Sequence, residues 1–266
     1  MHSSVVGIAA LVVATGLHAT SIRQQAPTSV DSFTQSSHIV FIGRVAKVRA
    51  TNVKALRATN ATVVVRVEDL LDGPAAVAGL AGQDVTVELL RPNAMKPDQR
   101  AVFFANGVLF GEHLAVKEVG LLPPPSTSGR AALRAQIARV RAQAEDESLR
   151  RRLTTAVLVM RGRVVEISPL PAAPVASEHR PDWAASLIEV DSVGKGTLDS
   201  MRVTVYFPQS TDERWLLAPK FRTGDRGIWI LHQESKFGLP HNALTALNPL
   251  DFEGAAEWAK IMRLLR

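Results

Sequence analysis

The chain has 266 residues, of which 46% are hydrophobic and 21% are charged. This balance and this length exclude a disordered chain and are sufficient for two folded domains. Thirty-one Lys and Arg against 25 Asp and Glu give a net charge of +6, and there is no cysteine. Disulfide bonds, a thiol nucleophile and thiolate metal ligands are therefore excluded, while the basic surplus fits either an anionic partner or a solvated helix face.

The first residues have the layout of a secretory signal peptide. An apolar run from Val5 to Leu17 precedes small residues around Ala19, although this leader contains no Lys or Arg. A run of this length is too short for a membrane-spanning helix. We predict a signal peptide over residues 1–19, a polar linker over 20–29 and a secreted or periplasmic protein. The alternative is a retained amino-terminal segment that is buried or disordered.

The remainder of the chain carries one pattern twice. The apolar segment Ile39–Val45 recurs as Leu158–Val164, and three further segments rich in branched residues follow each copy in the same order. Such runs are typical of β-strands. The predicted strands are 38–50, 62–67, 84–89 and 99–104 in the first copy and 158–164, 185–190, 201–206 and 225–231 in the second, and a last hairpin opens at Phe110 or Phe237.

Glycines lie at matching places in the two copies. Gly43 and Gly162 fall inside the first strand, where a glycine is typical of a bulge or a sharp bend. The polar segments 68–73 and 191–196 follow the second strand, and we predict that both are turns whose final glycine has a positive φ angle. The long first strand is therefore expected to curve, as it does in a small closed barrel.

Short amphipathic helices are predicted at the ends of each copy, because apolar residues recur there at helical spacing. The apolar positions are Val30 and Phe33, then Leu133, Ile137, Val140 and Ala144, then Leu149 and Leu153, and finally Trp258, Ile261 and Leu265. We place the first copy at 30–122, a proline-rich break and connecting basic helix at 123–152, and the second copy with its carboxyl-terminal helix at 153–266.

The number of strands decides between two architectures. Five short strands per copy, one of them long and curved, predict a mainly β protein of two tandem five-stranded Greek-key barrels of the OB type, each with flanking helices. An immunoglobulin-like sandwich is the alternative, but it requires about seven strands per domain.

The order of motifs resembles the netrin-like module, an OB-type barrel shared by the tissue inhibitors of metalloproteinases, and is more similar to the cysteine-free modules of that shape in exported bacterial proteins. The residues that carry the resemblance are Val40–Val45, Val67–Gly73 and Asp98–Phe104, with their counterparts in the second copy. In the inhibitor branch of this family an amino-terminal cysteine grips the protease zinc and disulfides brace the barrel. This chain has no cysteine, so the resemblance implies a fold and not the inhibition of a metalloproteinase.

Neither copy contains a recognisable set of catalytic or metal-binding residues. The segment Val193–Thr197 contains glycine and lysine but lacks the spacing of a phosphate-binding loop, and we interpret it as a hairpin turn. His232, Glu234 and His241 match no helical zinc motif, and we interpret them as exposed loop residues. The sequence therefore predicts a non-enzymatic protein without a metal or a cofactor.

Loops between the strands supply the candidate ligand-binding residues. OB barrels bind their ligands on the face of strands two and three, between the loops that follow strand one and strand four. The loop after strand one is short in the first copy and long and proline-rich in the second. The candidate residues in these loops are Lys54, Arg57, His179, Arg180, Trp183 and Lys236.

These observations predict an exported, non-enzymatic binding protein whose partner is another protein or a cell-envelope component. The alternative is a basic protein that binds oligonucleotides or other polyanions. Barrels that bind nucleic acid use aromatic side chains on which bases stack. The chain has one Tyr and four Trp, so nucleic acid is the less favoured ligand.

Overall fold

The computed structural model describes residues 29–109, 113–171, 181–234 and 238–266. The predicted signal peptide and nearly all of the predicted linker lie outside these ranges. In the described part of the chain, no helix combines the length and the hydropathy needed to cross a membrane.

The first copy is a closed barrel of five strands, entered through a short helix. Its elements are α1 (Ser29–Ser36), β1 (Ile39–Val48), β2 (Thr62–Asp72), β3 (Asp84–Glu88), β4 (Arg100–Leu109) and β5 (Ala115–Leu122). The strand order around the barrel is β1-β2-β3-β5-β4, and β4 returns to pair with β1. The β3–β5 pair is parallel and the other pairs are antiparallel.

The second copy repeats this barrel, with a last strand in two pieces. Its elements are α2 (Thr127–Thr155), β6 (Leu158–Pro169), β7 (Trp183–Lys195), β8 (Arg202–Pro208), β9 (Arg226–Glu234), β10 (Ala243–Thr245), β11 (Phe252–Gly254) and α3 (Trp258–Leu264). Strand β10 closes the barrel between β8 and β9, and β11 pairs further along β9. The predicted fold of two tandem five-stranded barrels with flanking helices is confirmed, and the sandwich is excluded.

The duplication is visible in the strand register. Gly43 lies opposite Val67 and Gly162 lies opposite Val190, each directly after a register shift between the paired strands. A Cβ atom on Gly162 would overlap the backbone carbonyl of Glu189. Glycine is therefore required where the strand bends, as the sequence predicted.

The prediction of turns at 68–73 and 191–196 is wrong. Strand β2 continues to Asp72 and β7 continues to Lys195, because the register shifts let both strands keep pairing with β1 and β6 past the glycine. Gly196 has a φ angle of 85°, but Gly73 lies outside the left-handed region. The charged side chains that indicated a turn in the first copy are bound by arginines: Glu68 by Arg100, Asp69 by Arg134 and Asp72 by Arg141.

Each barrel has its own apolar interior. In the first, Phe41 and Phe103 are fully buried and their rings stack with centroids 5.0 Å apart. In the second, the buried ring of Trp229 packs 5.0 Å from that of Phe252. Phe103 and Trp229 are thus core residues of the two barrels.

Helix α2 packs against both barrels. Its amino-terminal part places Ile137 in an apolar cluster with Val40 and Phe104 on the outside of the first barrel. Its carboxyl-terminal part places Leu149 and Leu153 in the cluster on the outside of the second barrel. The helix begins after Ser126, whose Oγ accepts a hydrogen bond from the backbone N–H of Gly129 at 3.2 Å. A single helix therefore closes one copy and leads into the next.

Candidate functional site

The loop between β1 and β2 folds over the outer face of β3. Along β3, Val85 and Val87 point into the barrel core, so Thr86 between them points outward. The Asn52 side chain donates to the carbonyl oxygen of Asp84 at 2.8 Å, and its backbone N–H donates to Thr86 Oγ1 at 3.1 Å. Thr86 Oγ1 in turn donates to Asn52 Oδ1 at 2.5 Å. These bonds fix the loop against the strand.

A cavity of about 130 Å³ remains between this loop and the parallel strands β3 and β5. Its lining combines three threonines, one arginine, one glutamate and four apolar residues. The residues that define it include Leu56, Arg57, Thr62, Thr86, Glu88, Val108 and Ala115. Such a set suits a single side chain of a partner, with hydrogen bonds and an ion pair at the rim.

The predicted site residues fall into three groups. Lys54 and Arg57 are exposed in the β1–β2 loop, and Arg57 lines the cavity. His179, Arg180 and Lys236 lie outside the described residues. Trp183 begins β7 and is 7% exposed, so its ring belongs to the packed part of the second copy.

In the described part of the second copy, apolar side chains pack on part of the equivalent outer face. Trp183 packs there with buried Leu239 and Ala243 and with the partly buried ring of Tyr206. Tyr206 pairs with Ala185 at the register position where Glu88 pairs with Thr62 in the first copy. The two copies therefore share a fold but differ on the face where a barrel of this type takes its ligand.

The strand residues of the cavity were missed by sequence reasoning. Thr86, Glu88 and Ala115 become neighbours through the parallel pairing of β3 with β5. The alternation of Val85 and Val87 with polar residues was the one available signal, because it places Thr86 and Glu88 on the outer face.

No family model matches the chain, and no curated protein is significantly similar to it. The chemistry of the surfaces is consequently the basis for inferring a function.

The positive charge of the chain is concentrated in α2. Seven arginines and three acidic residues lie between 127 and 155, which is four of the six net charges. Three of these arginines pair with carboxylates of the barrels: Arg134 with Asp69, Arg141 with Asp72 and Arg152 with Asp251. Much of the basic surplus therefore attaches the helix to the barrels.

A second polar cluster surrounds Asp251, which is fully buried. Its carboxylate accepts hydrogen bonds from Arg152 and from the backbone N–H groups of Leu247 and Asn248, the last two at 2.8 Å. His232 Nε2 lies 3.7 Å from Asp251 Oδ1. Burial lowers the pKa of His232, and the charge of Arg152 lowers it further. The cluster combines one carboxylate with two cationic or basic groups, which is a structural ion-pair arrangement.

The interpretation of His232 as an exposed loop residue is wrong. It lies in β9, and its side chain is 18% exposed because the loop that carries Asp251 covers it. In the first copy Asn106 occupies the equivalent position, one residue past the pair formed by Ala105 with Ile39. Asn106 Nδ2 donates to the carbonyl oxygen of Ser36 at the end of α1. The backbone of Thr155, at the end of α2, takes the corresponding place beside His232.

Proposed function

We propose that the chain is an exported, non-enzymatic binding protein built from two netrin-like barrels, and that its partner is a protein or another component of the cell envelope. The observation that carries this proposal is the difference between the outer faces of the two copies. The first keeps a cavity under a loop fixed by Asn52 and Thr86, whereas among the described residues of the second copy Trp183 and its apolar neighbours pack on part of the same face. The first copy is thus the binding copy at this face.

The size of the cavity favours a macromolecular partner. Pockets for small molecules usually enclose about 300–1,000 Å³, whereas this one measures about 130 Å³. Beside it, Val108 and Leu109 are 48% and 36% exposed. An apolar anchor with a polar rim is the usual arrangement at a protein interface.

Two observations weigh against the polyanion alternative. Trp183, Trp215 and Trp229 are buried, and so their rings offer no exposed platform for stacking bases. Arg134, Arg141 and Arg152 already have carboxylate partners within the fold, which leaves them less available for phosphates.

Photocrosslinking in the native host tests the proposal. A photoreactive amino acid replaces Val108 at the cavity, and a second variant carries it at Met201, an apolar residue of the second copy that is 55% exposed. We expect a discrete protease-sensitive adduct from the envelope fraction at position 108 and none at 201.

The control for that experiment places one residue of the second barrel at the equivalent position of the first. Glu88→Tyr introduces the residue that stands at the equivalent position, Tyr206, and should close the cavity and abolish the adduct. A nuclease-sensitive adduct at position 108, or no adduct at all, would contradict the proposal.

Export is tested separately, by sequencing the amino terminus of the protein made by its native host. A mature terminus near Thr20 in a fraction outside the cytoplasm is the expected result. An intact Met1 in the cytoplasm would overturn the exported part of the proposal and restore nucleic acid as a partner.

A further inference from the structure

The connection between β8 and β9, residues 209–225, presents two adjacent leucines to solvent. Leu216 and Leu217 are 60% and 73% exposed, the highest exposures of large apolar side chains in the described part of the chain. They occupy the centre of a tight turn in which the backbone N–H of Ala218 donates to the carbonyl oxygen of Trp215 at 3.1 Å. The two side chains therefore project from the surface at one point.

The base of this turn packs against the second barrel. Trp215 is 5% exposed, and its ring lies 5.9 Å from that of Trp183. Lys220 Nζ donates to the carbonyl oxygen of Trp215 at 2.8 Å. The apolar cluster around Trp183 thus supports a protruding apolar tip.

Three cationic residues flank the two leucines along the chain. Arg214, Lys220 and Arg222 are exposed, and no carboxylate lies between 214 and 222. Asp212 and Glu213 precede this segment, and Asp212 accepts a hydrogen bond from the backbone N–H of Arg214 at 2.9 Å, at the start of the turn. Asp225 follows it and accepts a hydrogen bond from the backbone N–H of Arg222 at 2.7 Å. The stretch from Arg214 to Arg222, which carries the leucines, is therefore cationic along the chain.

We propose that the Leu216–Leu217 turn is a membrane-contact tip, which inserts two leucines at the surface of a bilayer with anionic headgroups. Apolar side chains enter the boundary between headgroups and acyl chains, while Lys and Arg bind the anionic surface. A protein interface of ordinary size needs about 800 Å² of largely continuous contact on each side, whereas here two leucines project from charged surroundings. This inference lies on the second barrel and does not depend on a ligand in the first.

The first copy offers a matched control. Its β3–β4 connection exposes one leucine, Leu90, which is 56% exposed. That connection is tied to the β1–β2 loop, because the backbone N–H of Asn93 donates to the carbonyl oxygen of Asn60 at 2.8 Å and Arg49 donates to the Asn93 side chain at 3.1 Å. A single leucine on a tethered loop lacks the geometry of the tip.

Co-sedimentation of the full chain with vesicles tests the inference. The vesicles contain phosphatidylglycerol and phosphatidylethanolamine, and vesicles of phosphatidylcholine alone provide the uncharged comparison. We expect binding to the anionic vesicles, and a fall of at least about tenfold in the partition coefficient for the double variant Leu216→Ser, Leu217→Ser. Leu90→Ser should bind like the unmodified chain, and Arg222→Gln should weaken binding mainly at low salt.

Three results would overturn the inference. They are absence of binding by the unmodified chain, equal binding by the double variant, and binding that added salt abolishes while the leucines have no influence. The substituted residues are exposed, and a far-ultraviolet circular dichroism spectrum shows whether the variants fold. The adduct at Val108 reports on the first barrel, so a failure here and a failure of the proposed function are distinguishable.

Discussion

His232 links the stability of the second barrel to pH. Burial holds its pKa below the ordinary value of 6.5, with a further contribution from the charge of Arg152. The folded state therefore favours the neutral ring, whereas the unfolded chain takes up a proton near pH 6.5. By linkage, the preference of the folded state for the neutral His232 ring contributes to the free energy of unfolding. That contribution is fully present above pH 6.5 and is lost as the pH falls towards the folded-state pKa.

The substitution His232→Asn should remove that pH dependence, because an amide side chain does not titrate in this range. Asn106 occupies the equivalent position in the first copy, where it donates to Ser36 at 3.0 Å, so the smaller side chain is compatible with the site. Denaturant unfolding between about pH 7 and pH 5 should show a smaller loss of unfolding free energy for the variant than for the unmodified chain.

Glu253 acts in the opposite direction and must be separated from this effect. Burial raises its pKa above 4.5, and the charge of Glu257 raises it further, so its contribution increases as the pH falls. Because Glu253 is present in both proteins, the difference between them isolates His232. Equal slopes for the two proteins would show that His232 does not couple protonation to folding.

At the scale of one strand, the bend of β6 depends on the absence of a side chain. The Cβ atom of an alanine at position 162 would overlap the backbone carbonyl of Glu189, which cannot move without disturbing the β6–β7 pairing. We expect Gly162→Ala to lower the free energy of unfolding by about 3 kcal/mol. Urea unfolding measures this loss.

The matched comparisons for this substitution are Gly43→Ala and Gly79→Ala. At Gly43 the closest obstacle is the Val65 side chain, with the carbonyl oxygen of Arg66 at 3.1 Å, so a smaller loss is expected. Gly79 has open space around its Cβ position, and its substitution should leave stability nearly unchanged. A loss at Gly79 as large as that at Gly162 would refute the steric explanation.

The core of the first barrel depends on the stacked pair of Phe41 and Phe103. Both rings are fully buried, with centroids 5.0 Å apart. Truncation by Phe103→Ala removes the stack and leaves a cavity, so the unfolding free energy should fall by about 3–5 kcal/mol. A loss below about 1 kcal/mol in chemical denaturation would mean that the ring contributes little to the core.

Element by element, the sequence predicted the strands and the barrel because their signal is local. Apolar runs at matching places in two copies, with Gly43 and Gly162 inside the first strand, are sufficient to indicate closed barrels. The ends of β2 and β7 were not predictable in this way. Asp69 and Asp72 have the composition of a turn, and their partners Arg134 and Arg141 lie far along the chain.

The candidate site was predictable only in its loop. Arg57 was identified from its position after the first strand, but Thr86, Glu88 and Ala115 reach the cavity through strand pairing between distant segments. Trp183 was identified as a ligand residue because it lies at the end of the predicted loop after the first strand of the second copy. Its burial with Leu239 and Ala243 depends on residues more than fifty positions away.

At the scale of the whole molecule, the aromatic residues provide a probe for one barrel. All four Trp and the single Tyr lie in the second copy, at positions 183, 206, 215, 229 and 258. Tryptophan fluorescence therefore reports unfolding of the second barrel, whereas far-ultraviolet circular dichroism reports both. Because α2 packs against both barrels, the two signals should change together in the unmodified chain.

A proline in the middle of α2 should separate these two transitions. Gln143 is exposed and lies between the parts of the helix that pack against each barrel. Gln143→Pro removes a backbone hydrogen bond and kinks the helix, at a cost of about 3 kcal/mol. Gln143→Ala, which preserves the helix, should leave the two transitions coincident. Coincident transitions in the proline variant would show that the barrels are coupled by another route.

Because α2 is continuous, the number of residues between its two packed parts sets the rotation of one barrel relative to the other. Buried positions on the helix stop at Val140 and resume at Leu149, and each residue between them contributes about 100° of rotation and about 1.5 Å of rise. An insertion or deletion of one residue in this interval would leave both barrels intact but would swing one around the other by nearly a third of a turn. A flexible linker would allow any orientation. Through this helix, the orientation of the first-barrel cavity relative to the Leu216–Leu217 turn changes only in steps of one residue.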